Sequence, residues 1–379
     1  MEDDRIEDLD RLVSELEAAT PAVGAAGTAL EGWLRLCAER GASDLLLLPG
    51  EPPALRVEGR IARTDGPVLD GADVEEIVLP ALAPHAQRAF RERSLADASY
   101  RLVGVGRFRI NLHRERGRAA AAIRRLPSRV PALDSLALPP GTERLLRLER
   151  GLVLVGGATG SGKTTTMAAL VNEINRRDAR HIMTIEDPIE YEHTGQRSVV
   201  QQIEIGIDAP DFPSALRSAL RQSPDVIVIG EMRDPETMQI ALAAGETGHL
   251  VLSTLHTSDV TSTLSRMTDS FPPERQPTIR QEIAASLAAV FVQTLLPRAN
   301  GAGRVPAGEL LMVGYGARQH IRRNALHHLH QEITITRQQG SFTLEESLAK
   351  LVRSGAVEER EAMLRANHAD DFRQALTMS

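Results

Sequence analysis

The chain has 379 residues, of which 42% are apolar and 3% aromatic, and a formal net charge of −7. That length is ordinarily divided among two or three domains, and the apolar content suffices for buried cores. Its single cysteine, Cys37, excludes an internal disulfide and a multi-cysteine zinc site, and is expected to be a small buried hydrophobe in a reducing compartment.

The first twenty residues hold eight acids and two bases, so −6 of the net charge sits there and the rest of the chain is close to neutral. A near-neutral body gives no global electrostatic case for nucleic acid, and none is expected as a partner. No apolar run approaches the roughly 20 residues that cross a bilayer, and an acidic start is the opposite of a secretory leader. A cytoplasmic chain without membrane insertion is therefore expected. Within the tail, Ile6, Leu9, Val13 and Leu16 recur at helical spacing, giving either a short docking helix or a solvated arm. Residues 20–29 read as a linker that closes a tail segment 1–29.

Residues 30–126 read as a small α+β domain, with a helix over 30–40 and strands over 44–48 and 54–57. A helix over 73–93 and a strand over 106–112 follow, with 119–126 as its hairpin partner. Four prolines within 127–140 mark an inter-domain connection. Over 141–272, β-branched strands at 152–155, 181–185, 226–229 and 250–254 alternate with helices starting near Lys163, Phe212, Pro235 and Asp259. That alternation predicts an α/β core with a parallel sheet covered on both faces. Residues 273–379 read as a mainly helical region, an all-α bundle whose longest helix lies near 277–295.

The core opens on Gly157-Ala158-Thr159-Gly160-Ser161-Gly162-Lys163-Thr164, a G-x-x-x-x-G-K-T loop with a strand before it and a helix, begun by Thr165, after it. Glycines there let backbone N–H groups curl around phosphates, Lys163 supplies a positive charge, and Thr164 offers a hydroxyl ligand for Mg²⁺. Strand before and helix after make this a nucleoside triphosphate site. Phosphoryl chemistry also needs acids at the ends of neighbouring strands. Glu186 emerges after the strand at 181–185 and Glu231 after the strand at 226–229. Glu231 is the candidate general base, and Glu186 the second acid near metal and water. His249 and His256 flank the last strand; seven residues apart, they fall on opposite strand faces and are not a zinc pair. Thr254 and His256 share the face that could sense a γ-phosphate. His327, His328 and His330 form a histidine-rich patch, and a solvated helix face is their default reading.

Three runs, in order after the loop, carry a family resemblance. They are T-I-E-D-P-I-E at 184–190, L-R-Q-S-P-D-V-I-V-I-G-E-M-R-D at 220–234 and H-L-V-L-S-T-L-H-T at 249–257. They resemble the aspartate box, the signature and the histidine box of the type II/type IV secretion ATPases. Residues 107–127, the short chain and the lack of a four-cysteine element are most similar to the type IV pilus retraction branch. The resemblance implies a RecA-like P-loop core with a PAS-like N-terminal domain, assembled as a homo-hexamer that hydrolyses ATP with Mg²⁺ between the two domains. It further implies that Arg109 and Arg124 approach the phosphates and that His249 and His256 join Lys163, Glu186 and Glu231 in the catalytic set. Thr164, Glu186 and Glu231 would surround the metal. The motor would lie peripherally at the inner membrane and act on a platform protein in pilus retraction and twitching motility.

Two departures are visible. Residues 317–324 read A-R-Q-H-I-R-R-N where the branch has A-I-R-N-L-I-R-E, and Ile203 stands where the family has an arginine. They leave open an accessory ring member regulating a paralogous ATPase, or a secretion or pilus-assembly ATPase. A nucleic-acid translocating motor is the remaining alternative.

Overall fold

The computed structural model describes residues 29–301 and 303–377, and falls into two units, one up to Arg129 and one from Val130 onward. The amphipathic stretch of the tail and most of the linker lie outside the described residues.

In the first unit, α1 (Ala29–Glu39) buries Leu30, Trp33, Leu34, Leu36 and Cys37 along one stripe. Strands β1 (Asp44–Leu47), β2 (Ala54–Val57) and β3 (Arg60–Arg63) follow, then α2 (Gly71–Val78), α3 (Pro84–Arg93) and the strands β4 (Leu95–Leu102), β5 (Gly106–Glu115) and β6 (Arg118–Arg125). They form one antiparallel sheet in the order β3-β2-β1-β6-β5-β4. Alternation sends Leu45, Leu47, Phe108, Ile110 and Ile123 into a single core with α1 and α3. The helix expected over 73–93 is split by a 3₁₀ turn at Leu79–Ala81, because Pro80 and Pro84 cannot donate to a preceding turn; Pro84 instead begins α3. Burial pushes the Cys37 thiol up to about 11, which leaves it an inert core group.

In the second unit, β7 (Gly151–Gly156), α4 (Lys163–Arg177), β8 (His181–Glu186), β9 (Val199–Glu204), α5 (Phe212–Ala219), β10 (Val226–Ile229), α6 (Pro235–Glu246), β11 (Leu250–Leu255), α7 (Val260–Asp269) and α8 (Gln276–Ser286) succeed one another. The sheet order is β13-β12-β7-β11-β10-β8-β9, where β12 is Leu287–Pro297 and β13 is Arg304–Met312. All neighbours pair in parallel except β12 and β13. Leu152, Leu154, Ile227, Ile229 and Val251 face one core. Val153, Val155, Val226, Val228 and Leu252 face the other, under Met167, Leu170 and Ile174 of α4.

The all-α bundle expected after residue 273 is not what forms. α8 stops at Ser286, and the run expected to extend the helix to 295 is β12, a buried strand beside β7. An unbroken apolar run cannot reveal by periodicity whether it is a buried helix or a doubly covered strand. Helices do dominate beyond β13: α9 (Tyr315–Arg322), α10 (Leu329–Ile335), α11 (Leu344–Arg353), α12 (Glu359–Met363) and α13 (Ala369–Thr377). From Val130, the proline-rich stretch belongs to the second unit, with Leu133 and Leu138 packed against its core.

Candidate active site

β7 ends at Gly156, and the chain turns through Gly157–Gly162 into α4 at the carboxyl edge of the parallel sheet. Gly157 has φ 149°, and a Cβ there would sit 2.3 Å from Ser161 Oγ and 2.5 Å from the Gln293 carbonyl oxygen. Gly162 has φ 89°, with Gln293 Nε2 at 2.8 Å from the place of its Cβ. Both positions are closed to other residues by conformation and by space. Lys163 Nζ donates to the carbonyl oxygens of Gly157 (2.8 Å) and Ala158 (2.9 Å), which folds the ammonium over the mouth of the loop. Burial lowers its pKa, and the nearby Glu231 and Glu190 act against that shift.

β10 and β8 pair in register, Ile229 with Ile185, so Glu231 and Glu186 leave the sheet side by side. The Glu231 carboxylate is ion-paired with Arg233, and its other oxygen lies 4.0 Å from His256 Nε2. His256 Nδ1 is 3.5 Å from Lys163 Nζ. An ammonium has only protons to offer, so Nδ1 is the acceptor and the ring proton sits on Nε2, facing Glu231. Burial, then the charge of Lys163, lowers the His256 pKa and keeps the ring neutral. Lys163, His256 and Glu231 thus form a continuous polar line along the carboxyl edge.

Glu186 is more enclosed. Its carboxylate accepts from Thr184 Oγ1 (2.7 Å), Gln202 Nε2 (3.2 Å) and the Glu190 N–H (3.4 Å), and burial raises its pKa. Thr164, Glu186, Tyr191, Gly230 and Thr254 line one small pocket. Thr165 Oγ1 meets the Tyr191 hydroxyl at 3.1 Å, and Thr254 Oγ1 donates to the Gly230 carbonyl oxygen at 2.6 Å, tying β11 to the loop that carries Glu231.

His249 precedes β11 at its amino end, where Nδ1 is 3.1 Å from the Ala244 carbonyl oxygen. Leu255 pairs with Gly156, so the phosphate loop is at the opposite strand end, roughly 20 Å along β11 at the usual rise per residue. The grouping of His249 with the site is therefore not met within one chain. The whole of β11, Leu250–Leu255, lies between the two histidines and sets them at opposite strand ends. Arg109 and Arg124 belong to the first unit, where Arg109 Nη2 reaches Asp97 Oδ1 (3.5 Å) and Arg124 Nε donates to Asp44 Oδ1 (3.1 Å). The histidine patch is not a plain solvated face: the His328 ring lies against those of His327 and His320 in tilted contacts, and His330 Nε2 lies 3.2 Å from Asp371. Among the described residues, no group of three or more His, Cys, Asp or Glu is arranged to hold a metal ion.

Sequence reasoning missed Arg233, the partner of Glu231, and Gln293 beneath the loop. A signal for Gln293 existed: it is the one amide inside the apolar run of β12.

A model of the type II/IV secretion system protein family matches residues 120–377. The type IV pilus retraction ATPase PilT of Pseudomonas aeruginosa is 39% identical over 89% of this chain and 98% of its own length. The type IV pilus ATPase PilU of the same organism is 36% identical over 90% of each. Among solved structures, the pilus retraction motor PilT with bound ADP aligns with a TM-score of 0.82 at 37% identity, covering 92% of this chain and 100% of that one. The Legionella pneumophila ATPase DotB aligns with a TM-score of 0.79 at 28% identity, covering 91% of this chain and 97% of that one. With the phosphate loop and its facing acids in place, and matches running along nearly its whole length, the chain belongs to the type II/IV secretion system protein family as one of its ATPases.

Proposed function

We propose that the chain is the subunit of a hexameric motor that converts ATP hydrolysis into rigid-body domain motion for type IV pilus retraction. The observation that carries the hydrolytic part is the line from Lys163 through His256 to Glu231 beside a phosphate loop. The loop N–H groups and the end of α4 cradle the phosphates, and the Lys163 ammonium is placed to donate to their oxygens. Glu231, held by Arg233, takes the proton of the attacking water; neutral His256 stands beside that carboxylate, with Nε2 4.0 Å away. Glu186 fixes the edge of the pocket opposite Thr164. The Thr164 hydroxyl and the Glu186 carboxylate line one pocket and are oxygen donors that suit a hard divalent cation, so they would hold Mg²⁺, with Glu231 beside its water shell; when bound, the ion would neutralise phosphate charge. Arg109 and Arg124 serve as further phosphate-facing cations, a role their fixed charge and forked donors fit.

On this reading the second unit is RecA-like and the first PAS-like. The motor lies in the cytoplasm, peripheral to the inner membrane, and drives a platform protein there. Among the described residues no helix is long and apolar enough to cross a membrane. The departure of residues 317–324 from the retraction-branch motif favours one second reading, an accessory ring member that works beside a paralogous ATPase. Steady-state ATPase assays on the isolated chain separate the two: the motor turns over ATP alone, the accessory subunit only when mixed with its paralogue. Complementation of a strain lacking its retraction ATPase tests the load, and restored twitching is the expected result. An isolated chain whose Lys163→Ala and Glu231→Gln variants hydrolyse as fast as wild type would overturn the reading.

A further inference from the structure

β12 runs parallel to β7, with Val292 opposite Gly156, so the next residue, Gln293, emerges level with the start of the phosphate loop. Its side chain is 4% exposed. Oε1 accepts from the Thr166 hydroxyl at 2.7 Å, and Nε2 donates to the Ser161 carbonyl oxygen at 2.7 Å. Thr166 lies in the first turn of α4 and Ser161 in the loop itself, so a single amide joins the loop to its helix. The backbone of the same residue stands against Gly157 and its side chain against Gly162. The two glycines that bound the loop are thus closed off by one neighbour, which touches the loop at both ends and at Ser161 between them.

A primary amide meets both demands with one planar group. An ionised carboxylate accepts but cannot donate to the Ser161 carbonyl, and an aliphatic side chain leaves two buried polar groups without partners. Gln293 is also held from behind: it pairs with Gly308 on β13, whose N–H donates to Ser347 Oγ at 3.2 Å.

We propose that Gln293 is a positioning residue for nucleotide binding, which sets the curvature of the phosphate loop without touching the phosphates. This rests on the reading of that loop as the triphosphate site. Because the loop N–H groups meet the phosphates in the ground state and the transition state alike, losing the clamp weakens binding more than turnover.

The test measures ADP affinity by calorimetry and steady-state ATPase kinetics on the full chain, with folding followed by circular dichroism. Gln293→Leu is expected to raise the ADP dissociation constant and KM at least tenfold, while kcat falls less than threefold. Thr166→Val, which keeps the side-chain shape and removes one hydroxyl, is expected to shift the same quantities two- to fivefold and keeps the test open if Gln293→Leu fails to fold. The double variant should lose less than the product of the single losses. A folded Gln293→Leu with affinity and KM within twofold of wild type overturns the proposal; so does an unaltered Thr166→Val if Gln293→Leu does not fold. A wild-type chain that binds no adenine nucleotide overturns the phosphate-loop reading as well, and so separates the two failures.

Discussion

Arg109 and Arg124 stand directly opposite each other across the β5–β6 pairing, on the face of the sheet turned away from its core. Like charges in that position repel. The repulsion is offset by acids on the flanking strands: Asp44, which pairs with Arg124, and Asp97, which also accepts from Asn111 at 3.2 Å. Arg124 uses Nε for its aspartate, and its side chain is 70% exposed. Such an arrangement presents two fixed cations to an anion. Replacing either arginine by alanine is expected to lower kcat about 10- to 1000-fold if it faces the transferred phosphoryl group. The melting temperature should change little, since exposed ion pairs contribute on the order of 0–1 kcal/mol. Unchanged turnover in both variants would remove the arginines from the site.

Lys163 and Glu231 should separate binding from chemistry. Lys163→Ala is expected to abolish ADP and ATP binding in a calorimetric titration. Glu231→Gln keeps the shape of the side chain and removes its basicity, so it should bind ATP and lose about 10²–10⁴-fold in kcat. Full activity in Glu231→Gln would move the base elsewhere.

Glu309, buried on β13, accepts from the Val260 N–H at 2.5 Å, and burial pushes its carboxyl up to about 7, with Asp259 and Glu345 adding to the rise. The folded chain therefore holds this proton more tightly than the unfolded chain, whose carboxyl keeps an ordinary value near 4.5. Stability from the group is fully present below about pH 4.5 and declines as pH rises to about 7; it totals roughly 3 kcal/mol at most. Glu309→Gln keeps an acceptor for Val260 and should flatten that slope. Urea unfolding at pH 5 and pH 8 checks it: the variant should gain on wild type only at the higher pH, and equal differences at both would refute the assignment.

Phe291 is fully buried on β12 and meets Phe342 edge-on, with ring centroids 6.4 Å apart. Phe291→Ala should destabilise the second unit by about 3–5 kcal/mol, read as a lower denaturation midpoint. A loss under 1 kcal/mol would mean that the strand is not part of the core.

Much of the second unit was legible because its signals are local. The loop glycines, the strand preceding them and the β-branched runs before Glu186 and Glu231 each fix a conformation within a dozen residues. α4 begins at Lys163, α5 at Phe212 and α6 at Pro235, where the sequence pattern places them. The misreadings are non-local. β12 looked like the end of a helix because both of its faces are covered, which erases the alternation that marks a strand. Its Gln293 then reaches Ser161, 132 residues away. Nothing near Gln293 in the chain announces that partner.

The sequence by itself determined a phosphate-binding loop, two acids after neighbouring strands and a parallel α/β core, since each depends on short-range backbone geometry and hydrophobic period. Only the tertiary structure decided that His256 and not His249 faces Lys163, that Arg233 holds Glu231, and that one glutamine props the loop. Those relations depend on strand order and direction, which bring together side chains that local pattern leaves independent.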